Sequence, residues 1–250
     1  MKKKSFDLDP YSADSIHPGF SVDCIILSFH KKKILVLLNQ FDVSDLWQLP
    51  GGFMLKNENA DEAAYRVLNK RTGLTNVYLK QFYLFSDPNR TNMDQNELLS
   101  SAGYGANWLL QRFVSLGYFA LVKYDQVKLN KIEGESTRWF DINNLPPLYS
   151  DHEHIINKAK EMIRDMLPVL PVGYELLPEK FTLSELRKIY EIITEKTYDR
   201  RNFQRKILAT GALVQLDETK TTSTYNPAIL YSFTSGKKDS INFSTLFHLG

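Results

Sequence analysis

The chain has 250 residues, 43% of them hydrophobic, a formal net charge of +2 and a single cysteine, Cys24. That is ample for a packed core in one or two domains. It excludes a disulfide framework and a cysteine zinc cluster, and it leaves any nucleic-acid surface to a local basic patch rather than to global charge. Met1-Lys2-Lys3-Lys4 leads into polar residues, so no signal peptide is expected, and the apolar runs fall short of a membrane span. The expected compartment is the cytoplasm, with no membrane partner.

Residues 1–19, with Pro10, Pro18 and Gly19, read as a loosely held lead-in. Val22 to Phe29 and Ile34 to Leu38 form a hairpin, and its tip His30-Lys31-Lys32-Lys33 is most simply a solvated turn. Cys24 sits among apolar residues and reads as a buried strand thiol. A polar loop, Phe41 to Asp45, and Leu46 to Pro50 lead to a glycine pair. Asn59 to Thr72 is a helix, opened by Asn59 with Glu62 and stopped by Gly73. Strands are expected at Val77 to Phe85, at Arg112 to Lys123, and from Trp139-Phe140 to Asp141. Tyr83, Phe85, Phe113 and Phe119 read as core residues at strand spacing.

Leu145-Pro146-Pro147-Leu148 breaks the chain. Ser150 with Glu153 reads as a second capping box, opening a helix from about Asp151 to Leu167. His152 and His154, at i and i+2, do not share a helix face and read as exposed or capping rather than as metal ligands. Strands with an inserted helix, closed by a further helix, make an α/β (α+β) sandwich. Pro168, Pro171, Gly173 and Pro178 mark a linker. The expected division is 1–150 for a first domain, 151–178 for a connecting helix and linker, and 179–250 for a second domain.

In the second domain Thr182 with Glu185 caps a helix from Leu183 to about Glu195, apolar at Leu186, Ile189, Tyr190 and Ile193. Asp199 opens another, Arg200 to about Ala209, with Phe203, Ile207 and Leu208 on its buried side, and Gly211 stops it. Leu213 to Leu216 and Ala228 to Phe233 are short strands around a polar loop. Helix, turn, helix and hairpin make a winged helix-turn-helix. Arg200, Arg201, Asn202, Gln204, Arg205 and Lys206 put cations and amides on one basic helix face. Arginine reads guanine edges, asparagine and glutamine read adenine, and lysine holds phosphate. An ordinary solvated basic face is the plain alternative.

The stretch from Gly51 to Leu74 carries the chemistry. Gly52, Glu58, Arg66 and Gly73-Leu74 stand at the spacing of the Nudix box, and the segment resembles that loop-helix-loop. The family's helix carries glutamates that hold magnesium against a diphosphate. Here Val67, Lys70 and Arg71 occupy those positions, related by i, i+3 and i+4 on one face. A hard divalent cation needs oxygen ligands, and a valine with two cations offers none. Asp61 and Glu62 could serve only by displacing the site by roughly 8 Å. Glu58 alone remains. The box is expected to fold without metal-assisted hydrolysis: no enzyme, no metal and no cofactor.

Candidate ligand-binding residues are Trp47 as a stacking face, Asp87, Arg90 and Arg112 as polar groups, and Glu58 of the box. For Trp47 the alternative is a core position; for the polar set it is a surface ion pair. The box, Leu145-Pro-Pro-Leu148 with Asp151-His152, Leu177-Pro178, Phe181-Thr182-Leu183 with Glu185-Leu186, Asp199 to Lys206, and Pro227-Ala228 with Leu230-Tyr231 together resemble the Nudix-related transcriptional regulators of the NrtR type. The resemblance implies a hydrolase-like sensor fused to a winged helix, an ADP-ribose-like or pentose effector, and DNA binding as a dimer. The chain departs from the family in a longer insert, Thr91 to Gln111, holding Tyr104 and Trp108 beside the expected pocket.

The expected function is a ligand-responsive regulator, with operator DNA, a small effector and a second copy as partners. Pentose is the first choice of effector, in a repressor of carbohydrate-utilisation genes, since the lost glutamates leave no metal-bound diphosphate. An ADP-ribose-responsive regulator of NAD metabolism is the alternative, because Lys70 and Arg71 could meet phosphate directly. A Nudix hydrolase of ADP-ribose or sugar nucleotides, and a non-DNA interaction module, are the competitors.

Overall fold

Two long antiparallel strands carry the first domain. β1 (Ile16–His30) and β2 (Lys33–Phe41) are buried over Cys24–Leu27 and Val36–Leu38, as strands covered on both faces must be. The computed structural model describes residues 12–75, 77–103, 107–167, 172–221 and 227–234. The strands turn at Lys31-Lys32, whose φ of 47° and 62° suit a two-residue hairpin. The lead-in is shorter than the sequence suggests: β1 begins at buried Ile16, which pairs with Leu55 of β3 (Gly51–Leu55).

The sheet runs β4-β5-β1-β2-β6, with β3 off that path on β1; β4 is Tyr78–Phe85, β5 Val114–Val122 and β6 Glu135–Asp141. Alternation sends Val22, Cys24, Ile26, Tyr118, Ala120 and Val122 to one face, where α1 (Ala60–Thr72) lays Ala63, Ala64, Val67 and Leu68 against them. The two alanines let helix and sheet approach closely. Asn59 and Glu62 form the capping box, and Gly73, at φ 69°, stops the helix in the left-handed conformation. α3 (His152–Met166) meets β4 through His154 against Phe85 at 5.9 Å and Lys158 over the Tyr83 ring at 5.6 Å. The first domain is an α/β sandwich.

Two local expectations need correcting. Tyr83 is 45% exposed, because β4 is an edge strand whose register shifts between Gln81 and Tyr83. Ser150 does not cap α3: it stands at φ 48° and its hydroxyl donates to the Arg90 carbonyl. The insert is structured, with α2 (Met93–Ser101) capped by Asn92 and a 3-10 turn at Asn107–Leu109; Tyr104 lies outside the described residues.

The chain packs as two units that divide inside α3, between Ala159 and Lys160, with Ser28–Ile34 and Lys123–Asp125 grouped with the second. The 168–178 stretch holds a short helix, α4 (Val172–Leu176), while Pro168 and Pro171 lie outside the described residues. A Cβ at Gly173 would stand 2.5 Å from the Leu186 Cδ1, so a larger residue there would have to displace that side chain. Then come β7 (Phe181–Thr182), α5 (Leu183–Thr194), α6 (Arg200–Ala209), β8 (Leu213–Lys220) and β9 (Ala228–Phe233), the three strands in the order β7-β9-β8. Phe181 meets Phe233 at 4.8 Å and Tyr190 meets Phe203 at 5.7 Å, which seats α5 and α6 on one core. Thr182 and Glu185 form the expected capping box. This is a winged helix domain. Among the described residues no helix is long and apolar enough to cross a membrane.

Candidate functional site

A cavity of about 160 Å³ opens in the first unit. That is roughly ten times what one water needs. Its apolar wall comes from Phe53 on β3 and from the insert and its neighbours: Leu99, Trp108, Leu109 and Phe113. Phe53 meets Trp108 edge-on at 4.7 Å and Phe113 at 4.8 Å. A second wall is α1, which brings Val67, Lys70 and Arg71 to the lining. The third is polar: Asp23, Arg90, Asn96, Tyr149 and His152.

Each charge in the polar wall is held. Arg90 is buried and donates to Asp151 through Nε at 2.9 Å and Nη2 at 3.0 Å, to the Phe113 carbonyl at 3.0 Å and to Asp23 at 3.5 Å. The Ser115 hydroxyl donates to Asp23 at 2.6 Å. Arg71 is paired with Glu135, both nearly closed to solvent. Among the described residues Lys70 has no ion-pair partner and is half-buried on the lining. His152 accepts from the Leu49 N–H at 2.8 Å. Burial holds the His152 ring below the ordinary histidine range; Asp23 and Asp151 pull it up without prevailing. The Tyr149 hydroxyl, which donates to Asn96, is pushed up to about 12, chiefly by burial and then by Asp23.

Of the five residues picked from sequence, Arg90 lines this cavity; Trp47, Asp87, Arg112 and Glu58 do not. Trp47 is a core residue, edge-on to Phe140 at 4.6 Å, its backbone tied to Pro147 and Tyr149. Asp87 closes its own turn by accepting from the Asn89 N–H at 2.7 Å. Arg112 is exposed and donates to the Ser86 carbonyl. Glu58 holds the box together, accepting from Arg66 Nε at 2.9 Å and the Leu55 N–H at 2.8 Å. Burial raises its carboxyl, but Arg66 and Leu55 outweigh that and leave it below the usual carboxylate range. Among the described residues no three of His, Cys, Asp or Glu are grouped to hold a metal ion.

Asp23 and His152 were missed. His152, whose sequence position suggests an exposed or capping residue, is 5% exposed at the cavity. The signal in the sequence was an acid inside an apolar strand run, Val22-Asp23-Cys24, and that acid can be buried only if partnered. Cys24 beside it is buried, and burial pushes its thiol up, away from reactivity.

The second candidate surface is α6. Asp199 caps it by accepting from the Asn202 N–H at 2.8 Å, and Phe203 and Ile207 anchor it. That leaves Arg200, Arg201 and Arg205 exposed, with Asn202, Gln204 and Lys206 half-exposed beside them. Arg205 donates to Asn202 at 2.9 Å. Lys220 of the wing is bonded to Glu185 at 2.8 Å.

Two family profiles match the chain. The NUDIX domain matches residues 17–159, and the NrtR DNA-binding winged helix domain matches residues 173–233. The chain is 26% identical over 228 residues to the ADPR responsive transcriptional repressor NtrR of Acinetobacter baylyi, covering 88% of this chain and 84% of that protein. It is 28% identical over 153 residues to an ADP-ribose pyrophosphatase of Methanocaldococcus jannaschii, covering 61% of this chain and 79% of that one. In fold it is similar to the crystal structure of Shewanella oneidensis NrtR complexed with a 27mer DNA, with a TM-score of 0.67, 24% identity, and 90% and 97% of the two chains covered.

Proposed function

Since the chain belongs to the Nudix family, and within it to the NrtR-type Nudix-related transcriptional regulators, we propose that it is a DNA-binding regulator whose Nudix domain senses an ADP-ribose-like ligand without hydrolysing it. One observation carries the choice of ligand: the cavity joins the aromatic wall of Phe53, Trp108 and Phe113 to the cation Lys70, with Arg71 beside it paired to Glu135. A planar base uses the first and a diphosphate the second. A pentose, the effector favoured from sequence, brings no phosphate to Lys70. The relative described as ADPR responsive supports the same choice.

Val67, Lys70 and Arg71 stand where the Nudix box carries its metal-binding glutamates, and Arg71 is already committed to Glu135. Lys70, which has no ion-pair partner among the described residues, is therefore the group left to meet a diphosphate by direct charge, not through a metal. Arg200, Arg201, Asn202, Gln204, Arg205 and Lys206 are the DNA-contacting set, working in a dimer whose two α6 helices enter successive major grooves.

Thermal unfolding with ADP-ribose, ribose, xylose and arabinose tests the sensor. At a hundred times its dissociation constant the true effector adds about 2.7 kcal/mol. Stabilisation by ADP-ribose and none by the pentoses is expected; the reverse would restore the pentose effector. With magnesium present, ADP-ribose should be recovered intact. Steady turnover abolished by chelator and by Glu58→Gln would make the chain a hydrolase.

A further inference from the structure

Two buried groups in the cavity face one another without bonding. Asp23, from β1, and His152, at the head of α3, both line it and are 7% and 5% exposed. His152 Nδ1 accepts from the Leu49 N–H at 2.8 Å, so it carries no proton, and the neutral ring keeps its proton on Nε2. Nε2 stands 3.9 Å from Asp23 Oδ1, too far for a hydrogen bond. On the other side of the Asp23 carboxyl, Oδ2 is engaged by Ser115 at 2.6 Å and Arg90 at 3.5 Å. Among the described residues nothing donates to Oδ1.

The pair is a fixed acceptor opposite a fixed donor. A group that bridges them must donate to Oδ1 and accept from Nε2. A hydroxyl does both; an ammonium cannot accept and a carbonyl cannot donate. The surroundings keep this geometry. Arg90, locked on Asp151 and the Phe113 carbonyl, fixes the carboxyl from behind. A Cβ at residue 51 would stand 2.6 Å from Oδ1, so Gly51, itself on the lining, leaves that oxygen open.

We propose that Asp23 and His152 together seat one ribose hydroxyl of the effector, so that the protein selects a ribosyl ligand over its deoxy counterpart. The proposal rests on the ADP-ribose-like reading of the cavity. In Asp23→Asn the amide oxygen stays with the donors Ser115 and Arg90. Its NH2 group then replaces Oδ1 and opposes the His152 N–H, so a hydroxyl seated there can only accept and loses its charged acceptor.

Calorimetric titration of the full chain with ADP-ribose and with its monodeoxy analogues at each ribose position tests it. In the wild type one analogue should bind on the order of tenfold to a hundredfold more weakly, the loss of one hydrogen bond to a charged group. Asp23→Asn should weaken ADP-ribose by a similar factor and shrink that analogue's penalty several-fold, since the hydroxyl then gives up only neutral hydrogen bonds. If Asp23→Asn does not fold, Gly51→Ala, which crowds Oδ1 and leaves the carboxyl in place, should erase the same penalty. ADP-ribose binding with no weakened analogue, or with a penalty undiminished in the variants, overturns the seat alone. No binding of ADP-ribose to the wild type overturns the seat and the effector together.

Discussion

Lys70 and Arg71 are neighbours on one helix and should fail in different ways. Arg71 and Glu135 have side chains 7% and 8% exposed. Removing one partner of so buried a pair leaves the other charge without compensation, which costs about 3–5 kcal/mol. Arg71→Ala should therefore lower the midpoint of denaturant unfolding sharply. Lys70 has no such pair among the described residues, so Lys70→Ala should leave the midpoint nearly unchanged and weaken ADP-ribose. Equal loss of stability in both variants would contradict this division. His152 gives a pH signature. Burial keeps its folded ring below the ordinary range, while the unfolded ring takes its proton near pH 6.5. Its contribution is present in full above about pH 6.5 and is lost as pH falls from there toward the lower folded value. Glu58, also lowered, adds to the loss further into acid, below its ordinary range near 4.5. Unfolding midpoints should hold steady from pH 8 to 7 and decline toward pH 5. His152→Gln should flatten the upper part of that decline, and an unchanged slope would rule out His152 as its source.

Elements bounded by local chemistry were legible in the sequence. Asn59, Glu62 and Gly73 fix α1, and Thr182 with Glu185 fixes α5, because a cap is read within a few residues of itself. Asn59→Ala should cost about 1 kcal/mol in unfolding experiments. Ser150 with Glu153 has the same pattern and forms no cap, because the Ser150 hydroxyl is drawn to the Arg90 carbonyl, a partner distant in sequence. The cavity was hidden for the same reason. Asp23, Arg90, Trp108 and His152 reach it from four separate segments, and periodicity records which face is buried, not which segments converge. Trp47, Asp87 and Arg112 had suitable chemistry for a ligand, but the fold spends them on core packing and loop closure. On α6 the structure places Arg201 and Arg205 outward. Arg201→Ala and Arg205→Ala should each weaken binding to a DNA site selected from random sequence. A contact to a guanine edge costs about 1–3 kcal/mol and relaxes that base; a phosphate contact lowers the salt slope by about one. Unchanged binding in both variants would move the DNA contact off this helix.

At the scale of the whole chain, one helix belongs to both units. In the first, His152 at the head of α3 lines the cavity. In the second, Lys160 and Arg164 of the same helix bind Glu195 at 3.1 and 3.2 Å, and Arg164 also holds the Ile193 carbonyl at 2.9 Å. Glu195 ends α5 at φ 57°, a left-handed conformation costly for a residue with a side chain, in the turn before α6. Binding free energies are reciprocal: any factor by which ADP-ribose changes DNA affinity, DNA must apply to ADP-ribose affinity. The direct test is therefore ADP-ribose affinity of the full chain with and without saturating cognate DNA. Weaker ADP-ribose binding on DNA, by the same factor by which ADP-ribose weakens DNA binding, is predicted. Equal affinities would mean that cavity and α6 are uncoupled, and that the chain is not a sensor of this ligand even if it binds both.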